Sequence, residues 1–273
     1  MKKTKIGIVG CGAIGRSLAR FVEAKLSKNA KISAIYDLDL SKALLLKNSF
    51  KKLSPVIAKN LGSLIKNSDL VLECASVKVS FDVAKSVLSN RKSILIMSIG
   101  GIISKANELF ELARKNNCFI YLPSGAICGI DGLKALSLAG IKKVMITTRK
   151  PPKALEGAEY IKNNRINLKD IRKEEIIFKG NALSAIKYFP QNINVAALLS
   201  IAGIGAKKTE VRIITSPEYK MNSHEIYIES RAGSIKTICQ NVPFVDNPKT
   251  SYLAALSAMV VLKNIFNPAK IGS

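Results

Sequence analysis

Ile6-Gly7-Ile8-Val9-Gly10-Cys11-Gly12-Ala13-Ile14-Gly15-Arg16-Ser17-Leu18-Ala19-Arg20-Phe21 is the stretch whose reading decides the fold. An apolar run enters a glycine-rich turn, and the turn opens into a helical pattern. In a strand–turn–helix setting the glycines of a GxGxxG have separate physical tasks. Gly10 makes the turn, Gly12 lets the backbone approach a pyrophosphate, and Gly15 lets the helix pack close to the strand. Ala13 and Ile14 open that helix, whose N-terminal N–H groups and partial positive charge suit phosphate. The next apolar stretch, Ile32-Ser33-Ala34-Ile35-Tyr36, ends at Asp37. An acid about 20 residues past the glycines is placed to bind a ribose 2′-hydroxyl. Asp37 favours NAD, because a carboxylate repels a 2′-phosphate. Lys42 lies close enough in sequence to keep NADP possible.

Strand and helix patterns alternate outward from this turn. Strands are expected over residues 5–10, 31–37, 55–58, 69–74, 93–99 and 119–122. Helices are expected over 14–28, 39–50, 61–66, 80–88 and 105–116. This alternation predicts an α/β unit, a doubly wound parallel sheet with helices on both faces. Cys74-Ala75-Ser76 and Met97-Ser98-Ile99-Gly100-Gly101 follow two of its strands. Doubly wound folds bind ligands at the carboxyl ends of their strands, so Ala75 and Ser76 are cofactor-binding candidates.

The pattern changes at Pro123-Ser124-Gly125. A helix over 127–138 precedes strand patterns over 143–148, 210–214, 225–229 and 234–240, with helices over 181–188 and 192–201 between them. This is a mixed α+β unit. An amphipathic helix over 250–266 is placed to return to the first unit. The expected domains are therefore 1–122 with 245–273, and 123–244. The stretch 150–178 is the least legible.

Composition narrows the function. With 273 residues and 48% hydrophobic content, the chain can bury a sizeable core. No apolar run is long and uncharged enough to span a bilayer. Lys2 and Lys3 precede a run that is short, glycine-rich and followed by Arg16, which reads as the first strand rather than a signal peptide. We expect a cytoplasmic protein with no membrane partner. Five cysteines without a CxxC pair and a single histidine make a zinc site of the usual spacing unexpected. Cys11 reads as a small turn residue, since nothing nearby marks it as activated. The net charge of +24 could mark nucleic-acid binding. Its basic residues are spread along the chain, however, and the densest stretch, Lys142 to Arg172, is interrupted by Glu156 and Glu159. Aromatics make up only 6%. The charge is read as a lysine-rich surface whose field steers anions inward, not as a nucleic-acid footprint.

His224 is the sole histidine, set in Met221-Asn222-Ser223-His224-Glu225-Ile226 just before a strand pattern. Its titration near neutrality suits proton transfer. Glu225 alternates to the opposite face and is a poor candidate for orienting it.

Four segments together carry a resemblance: Gly10 to Gly15, Pro123-Ser124-Gly125-Ala126-Ile127, Gln191-Asn192-Ile193-Asn194-Val195-Ala196-Ala197, and Asn222-Ser223-His224-Glu225-Ile226. With Asn247-Pro248-Lys249-Thr250-Ser251-Tyr252 they run in order along nearly the whole chain, which resembles the L-aspartate dehydrogenase family. The resemblance implies a Rossmann-type domain joined to an α+β domain similar to dihydrodipicolinate reductase. It also implies a homo-oligomer, dimer or tetramer. It implies NAD(P)-dependent oxidation of L-aspartate to iminoaspartate, which yields oxaloacetate and ammonia or feeds quinolinate and NAD synthesis. The family's active-site histidine falls on His224, and its cofactor contacts on Ala126 and Asn194. Lys207, Lys208, Lys249, Thr250 and Ser251 are candidates for the substrate carboxylates. Other reductases of the same architecture, such as dihydrodipicolinate reductase or homoserine dehydrogenase, and a basic NAD-binding regulator are the competing readings.

Overall fold

A computed structural model describes residues 2–51, 54–189, 194–245 and 247–271, the side chains of 247–249 excepted. The chain divides into two compact units. The first comprises Met1–Pro123 with Ser257–Ala269, and the second Ser124–Leu256 with Lys270–Ser273.

The first unit alternates as the sequence predicts. Its elements are β1 (Thr4–Val9), α1 (Ala13–Lys25), β2 (Ala30–Tyr36), α2 (Leu40–Asn48), β3 (Val56–Ile57), α3 (Leu61–Lys66), β4 (Leu70–Glu73), α4 (Ser80–Ser89), β5 (Ser93–Ile96), α5 (Ala106–Lys115) and β6 (Ile120–Tyr121). The strands form one six-stranded sheet in the order β3-β2-β1-β4-β5-β6. Every pairing is parallel. The order reverses between β1 and β4, which is where a doubly wound sheet opens its ligand crevice. Helix α1 buries Leu18, Ala19 and Val22 against Ile6 and Ile8 of β1 and Ile32 and Ile35 of β2. Each such Leu or Val contributes about 1.5–3 kcal/mol. Local chemistry sets the helix starts. Asp39 caps α2 by accepting from Ser41 N, and Asn60 caps α3 in a reciprocal box with Ser63.

The second unit contains α6 (Ile130–Ser137), β7 (Ile141–Lys150), α7 (Glu159–Asn163), β8 (Glu175–Asn181), α8 (Ala182–Tyr188), α9 (Asn194–Ala202), β9 (Glu210–Thr215), β10 (Asn222–Ser230), β11 (Gly233–Asn241), β12 (Pro243–Phe244), β13 (Asn247–Ser251) and α10 (Tyr252–Phe266). Five strands form a mixed sheet, β11-β10-β7-β9-β8, in which only β7 and β9 run parallel. Val144, Ile146, Val211, Ile213, Ile226 and Ile228 line one face. Leu133 of α6, Ala182 and Ala185 of α8, and Val195 and Leu199 of α9 cover it. From Ser257 onward α10 belongs to the first unit, where Ala258 and Leu262 join the core.

The structure departs from the sequence reading in places. Strand β8 falls largely within 150–178, the least legible stretch of the sequence, and takes Asn181 from the start of the helix expected there. The helix expected from 127 begins at Ile130, because Gly129 takes a left-handed φ of +87° and serves as its N-cap. The strand expected over 93–99 stops at Ile96, and Ile99–Gly101 forms a 3₁₀ turn. The final strand-and-helix stretch runs as β13 through Ser251 before the helix starts. The strand expected from Glu225 begins at Asn222, so His224 lies within β10 rather than ahead of it. Among the described residues no helix is long and apolar enough to cross a membrane.

Candidate functional site

The glycine turn closes the end of β1. Gly10 has φ +93°, and a Cβ there would lie 2.5 Å from the Cys74 carbonyl carbon. A Cβ on Gly15 would lie 2.1 Å from Gly10 O. Both positions therefore require glycine for backbone approach, one toward the end of β4 and one where α1 meets the turn. At Gly12 a Cβ would meet nothing within 4 Å. That side of the turn is open, as the approach of a pyrophosphate to the backbone would require. Ala13 and Ile14 form the first turn of α1 at its N-terminus, as the anion reading requires.

Asp37 is built into this turn. One carboxylate oxygen accepts Cys11 N at 2.7 Å, and the other accepts Asp39 N at 2.9 Å. Each oxygen keeps acceptor capacity for a hydroxyl. Burial pushes the Cys11 thiol up to about 12, with Asp37 adding to the effect. Cys11 is accordingly an inert turn residue.

Glu73 is a site residue that sequence reasoning missed. It ends β4 fully buried. Its carboxylate accepts Ala75 N at 2.8 Å and Ser98 N at 2.9 Å. Ser80 Oγ donates to Ser98 O at 3.0 Å, and a Cβ on Gly101 would sit 2.0 Å from Val77 O. The loops after β4 and β5 are thereby clasped to each other. Burial raises the Glu73 carboxyl above the ordinary range, while the Ser98 and Ala75 N–H groups pull it back in part. Ala75 and Ser76 remain exposed beside the clasp.

In the second unit the covered face of the sheet changes character along its length. Ile146, Val211, Ile226 and Ile228 give way to Thr148, His224 and Lys150. The register places His224 opposite Thr148 on one side and Cys239 on the other, and Lys150 opposite Thr215. His224 is 3% exposed, with Nδ1 3.0 Å from Thr148 Oγ1. Burial, reinforced by the Lys150 charge, holds its pKa down to about 3. The imidazole is therefore neutral around pH 7, and burial removes the titration near neutrality that the sequence suggests for it. When its Nδ1–H donates to Thr148, Nε2 presents a lone pair. Glu225 points to the other face, where Arg149 and Lys236 bind it at 2.9 Å each. Thr148, and not a carboxylate, orients His224.

Ala126 is tied to the same strands. Asn241 Nδ2 donates to Ala126 O at 2.9 Å, and Asn241 pairs with Asn222 in the β10–β11 ladder. Two residues on, Cys128 Sγ lies 3.2 Å from Cys239 Sγ. A Cβ on Gly125 would come 3.8 Å from Val195 in the first turn of α9, the helix that Asn194 opens. The segments carrying Ala126, Asn194 and His224 are thus linked within one unit. Gly10, Gly12, Gly15, Asp37 and Ala75 are brought together in the other.

The carboxylate-binding candidates fare differently. Lys207 and Lys208 are exposed, Thr250 is half-buried and Ser251 is buried. The Lys249 side chain and residues 190–193 lie outside the described residues. Sequence reasoning also missed Thr148, Lys150 and Asn241. The available signal was the alternation Val144, Ile146, Thr148, Lys150, which puts two polar residues on the face that two apolar ones share.

Comparison with known proteins bears on both units. The family described as Homoserine dehydrogenase, NAD binding domain, matches residues 10–123, and the family described as Aspartate dehydrogenase, C-terminal, matches residues 131–265. L-aspartate dehydrogenase of Methanosarcina mazei is 44% identical over 271 residues, 98% of this chain and 99% of that protein. That of Methanocaldococcus jannaschii is 43% identical over 272 residues, again 98% and 99%. The crystal structure of aspartate dehydrogenase from Thermotoga maritima superposes with a TM-score of 0.75 at 25% identity, covering 99% of this chain and 100% of that one. A hyperthermophilic archaeal homoserine dehydrogenase shares the fold, with a TM-score of 0.60 at 15% identity and coverage of 98% and 99%. On these matches, which span both units almost end to end, the chain belongs to the L-aspartate dehydrogenase family.

Proposed function

We propose that this chain oxidises L-aspartate to iminoaspartate with NAD, and with NADP as the weaker alternative. The observation that carries this reading is a neutral, buried His224 at the polar end of the β7–β10 face, in a chain of this family. The nicotinamide supplies the hydride acceptor. Gly10, Gly12, Ala13, Ile14 and Gly15 hold the pyrophosphate at the start of α1, and Asp37 takes the ribose hydroxyls. Ala75 and Ser76 line the crevice at the end of β4. Ala126 and Asn194 hold the nicotinamide end, as the resemblance implies.

Oxidation at Cα requires a proton to leave the α-ammonium, and hydrolysis of the imine requires an activated water. His224 is the acceptor for either proton at Nε2, with Thr148 fixing its ring, once the negative charge of the substrate carboxylates raises the basicity that burial and Lys150 depress. The imine then yields oxaloacetate and ammonia, or serves quinolinate formation on the way to NAD. The unit of residues 1–123 with 257–269 is the cofactor domain in this reading, and the unit beginning at 124 the substrate and oligomerisation domain; the boundary expected at 245 falls instead within α10. The protein works in the cytoplasm as a homodimer or homotetramer.

The test is formation of reduced cofactor, followed at 340 nm, from L-aspartate with each dinucleotide, alongside His224→Asn. We expect turnover with aspartate, higher kcat/KM with NAD, and loss of at least 10²-fold in kcat in the variant. No turnover with either dinucleotide across pH sinks the activity. Wild-type kcat in His224→Asn sinks the histidine's role. Light scattering that shows a monomer removes the oligomer.

A further inference from the structure

We propose that Lys150 binds a carboxylate of the substrate beside His224, an assignment that rests on reading His224 as the active-site histidine. Among the described residues Lys150 is the one buried Lys or Arg, at 4% exposure. The other described basic side chains are half-buried or exposed. Lys150 closes β7, two residues beyond Thr148, and successive even positions of a strand share a face. That face is the one carrying His224, since Thr148 stands directly opposite His224. A diagonal neighbour on the same face lies about 7–8 Å away, which a lysine stem spans. The positive charge of Lys150 is felt at His224. Thr215 Oγ1 donates to Lys150 O at 2.7 Å and pins the backbone from which the side chain projects.

Lys150 brings a cation into the polar end of this face, beside Thr148, His224 and Thr215, where burying a charge is costly and an anionic group would offset it. A substrate with two carboxylates needs a cation close to the proton acceptor. The neighbouring candidates do not supply one. Arg149 turns to the opposite face and is held by Glu225. Lys207 and Lys208 are exposed. A lysine ammonium acts as a compact point charge that tolerates a carboxylate from several directions. With one carboxylate on Lys150, the α-ammonium is kept within reach of Nε2 of the same face.

The test compares Lys150→Met, Lys150→Arg and His224→Asn in the full chain. The readouts are kcat and KM for L-aspartate, NADH affinity by fluorescence titration, and the inhibition constant of succinate, a dicarboxylate that cannot react. We expect Lys150→Met to raise KM and the succinate constant together by about 10²-fold, as loss of a charged hydrogen bond does. NADH affinity should stay within twofold, and Lys150→Arg should recover part of the loss. A Lys150→Met protein that binds NADH with unchanged KM and succinate constant overturns the proposal. So does one that loses kcat alone, since that pattern marks a residue acting through His224. Should Lys150→Met fail to fold, Lys150→Gln carries the same comparison. Wild-type kcat in His224→Asn overturns the underlying site instead and takes the Lys150 assignment with it.

Discussion

Exchanging glycine for alanine at two positions of the β1–α1 turn should separate stability from binding. At Gly12 the added Cβ meets nothing within 4 Å. The backbone there has φ −69° and ψ −166°, which alanine adopts without strain. Removing glycine's freedom from the unfolded chain then stabilises by about 0.4–1 kcal/mol, less what alanine loses as the N-cap of α1. For a chain of this size that leaves Tm unchanged or raises it by roughly 1–3 °C. The methyl group, however, occupies the side from which a pyrophosphate must approach. A shift of about 1 Å costs at least one charge-assisted N–H···O bond, about 1.5–3 kcal/mol, or roughly 10–100-fold in affinity. At Gly15 the outcome is opposite in kind. The Cβ would sit 2.1 Å from Gly10 O, a backbone atom that cannot step aside. Overpacking of this sort costs about 1–3 kcal/mol or more, so Tm should fall by several degrees. The assay is thermal unfolding by circular dichroism beside NADH titration by fluorescence. Gly12→Ala that binds NADH within twofold of wild type refutes the assignment of that space to the cofactor. Gly12→Ala that melts like Gly15→Ala refutes the packing argument.

Other perturbations follow from the same geometry. Glu73→Gln leaves only one acceptor for the Ala75 and Ser98 N–H groups, and should lower stability by about 1–2 kcal/mol after relief of the buried charge, read as a lower urea midpoint at constant slope. His224 stays neutral in the fold down to about pH 3 but takes a proton near 6.5 when unfolded. The unfolded chain thus binds more protons in that interval, so His224 makes stability fall as pH drops from 6.5 toward 3. The wild type should lose more stability than His224→Asn over that range in urea titrations at stepped pH. A mild thiol oxidant should join Cys128 to Cys239, whose sulfurs stand 3.2 Å apart. The denatured product should then show three of its five thiols, and Cys128→Ser should prevent that loss.

The first unit was legible because its signals are local. Strand and helix periods, the spacing of Gly10, Gly12 and Gly15, and the caps at Asp39 and Asn60 each lie within a few residues. The features that escaped are set by distant partners. Glu73 reads as one acid at the end of an apolar run, and its meaning depends on Ser98, 25 residues away. Thr148 reads as an ordinary strand residue until β10 brings His224 beside it across 76 positions. Strand β8 was hidden because Ile176, Ile177 and Phe178 are crowded by Lys173, Glu174, Glu175 and Lys179. It sits at the sheet edge, where a strand needs fewer apolar residues. The helix before β7 starts later than its apolar period suggests, because the period extends N-terminal of Gly129 while the left-handed backbone at Gly129 fixes the helix start at Ile130.

The change from oily to polar side chains along β7 and β10 has a consequence for how such an enzyme can be remade. Ile146 and Ile226 belong to the core that holds the second unit together, and Thr148 and His224 stand one repeat of the strand further on. That repeat is about 7 Å. In the proposed mechanism, stability and chemistry therefore occupy separate rows of the same sheet. Substitutions in the polar row can redirect the reaction while the row beneath keeps the protein folded, which makes this sheet a chassis whose tool end is exchangeable.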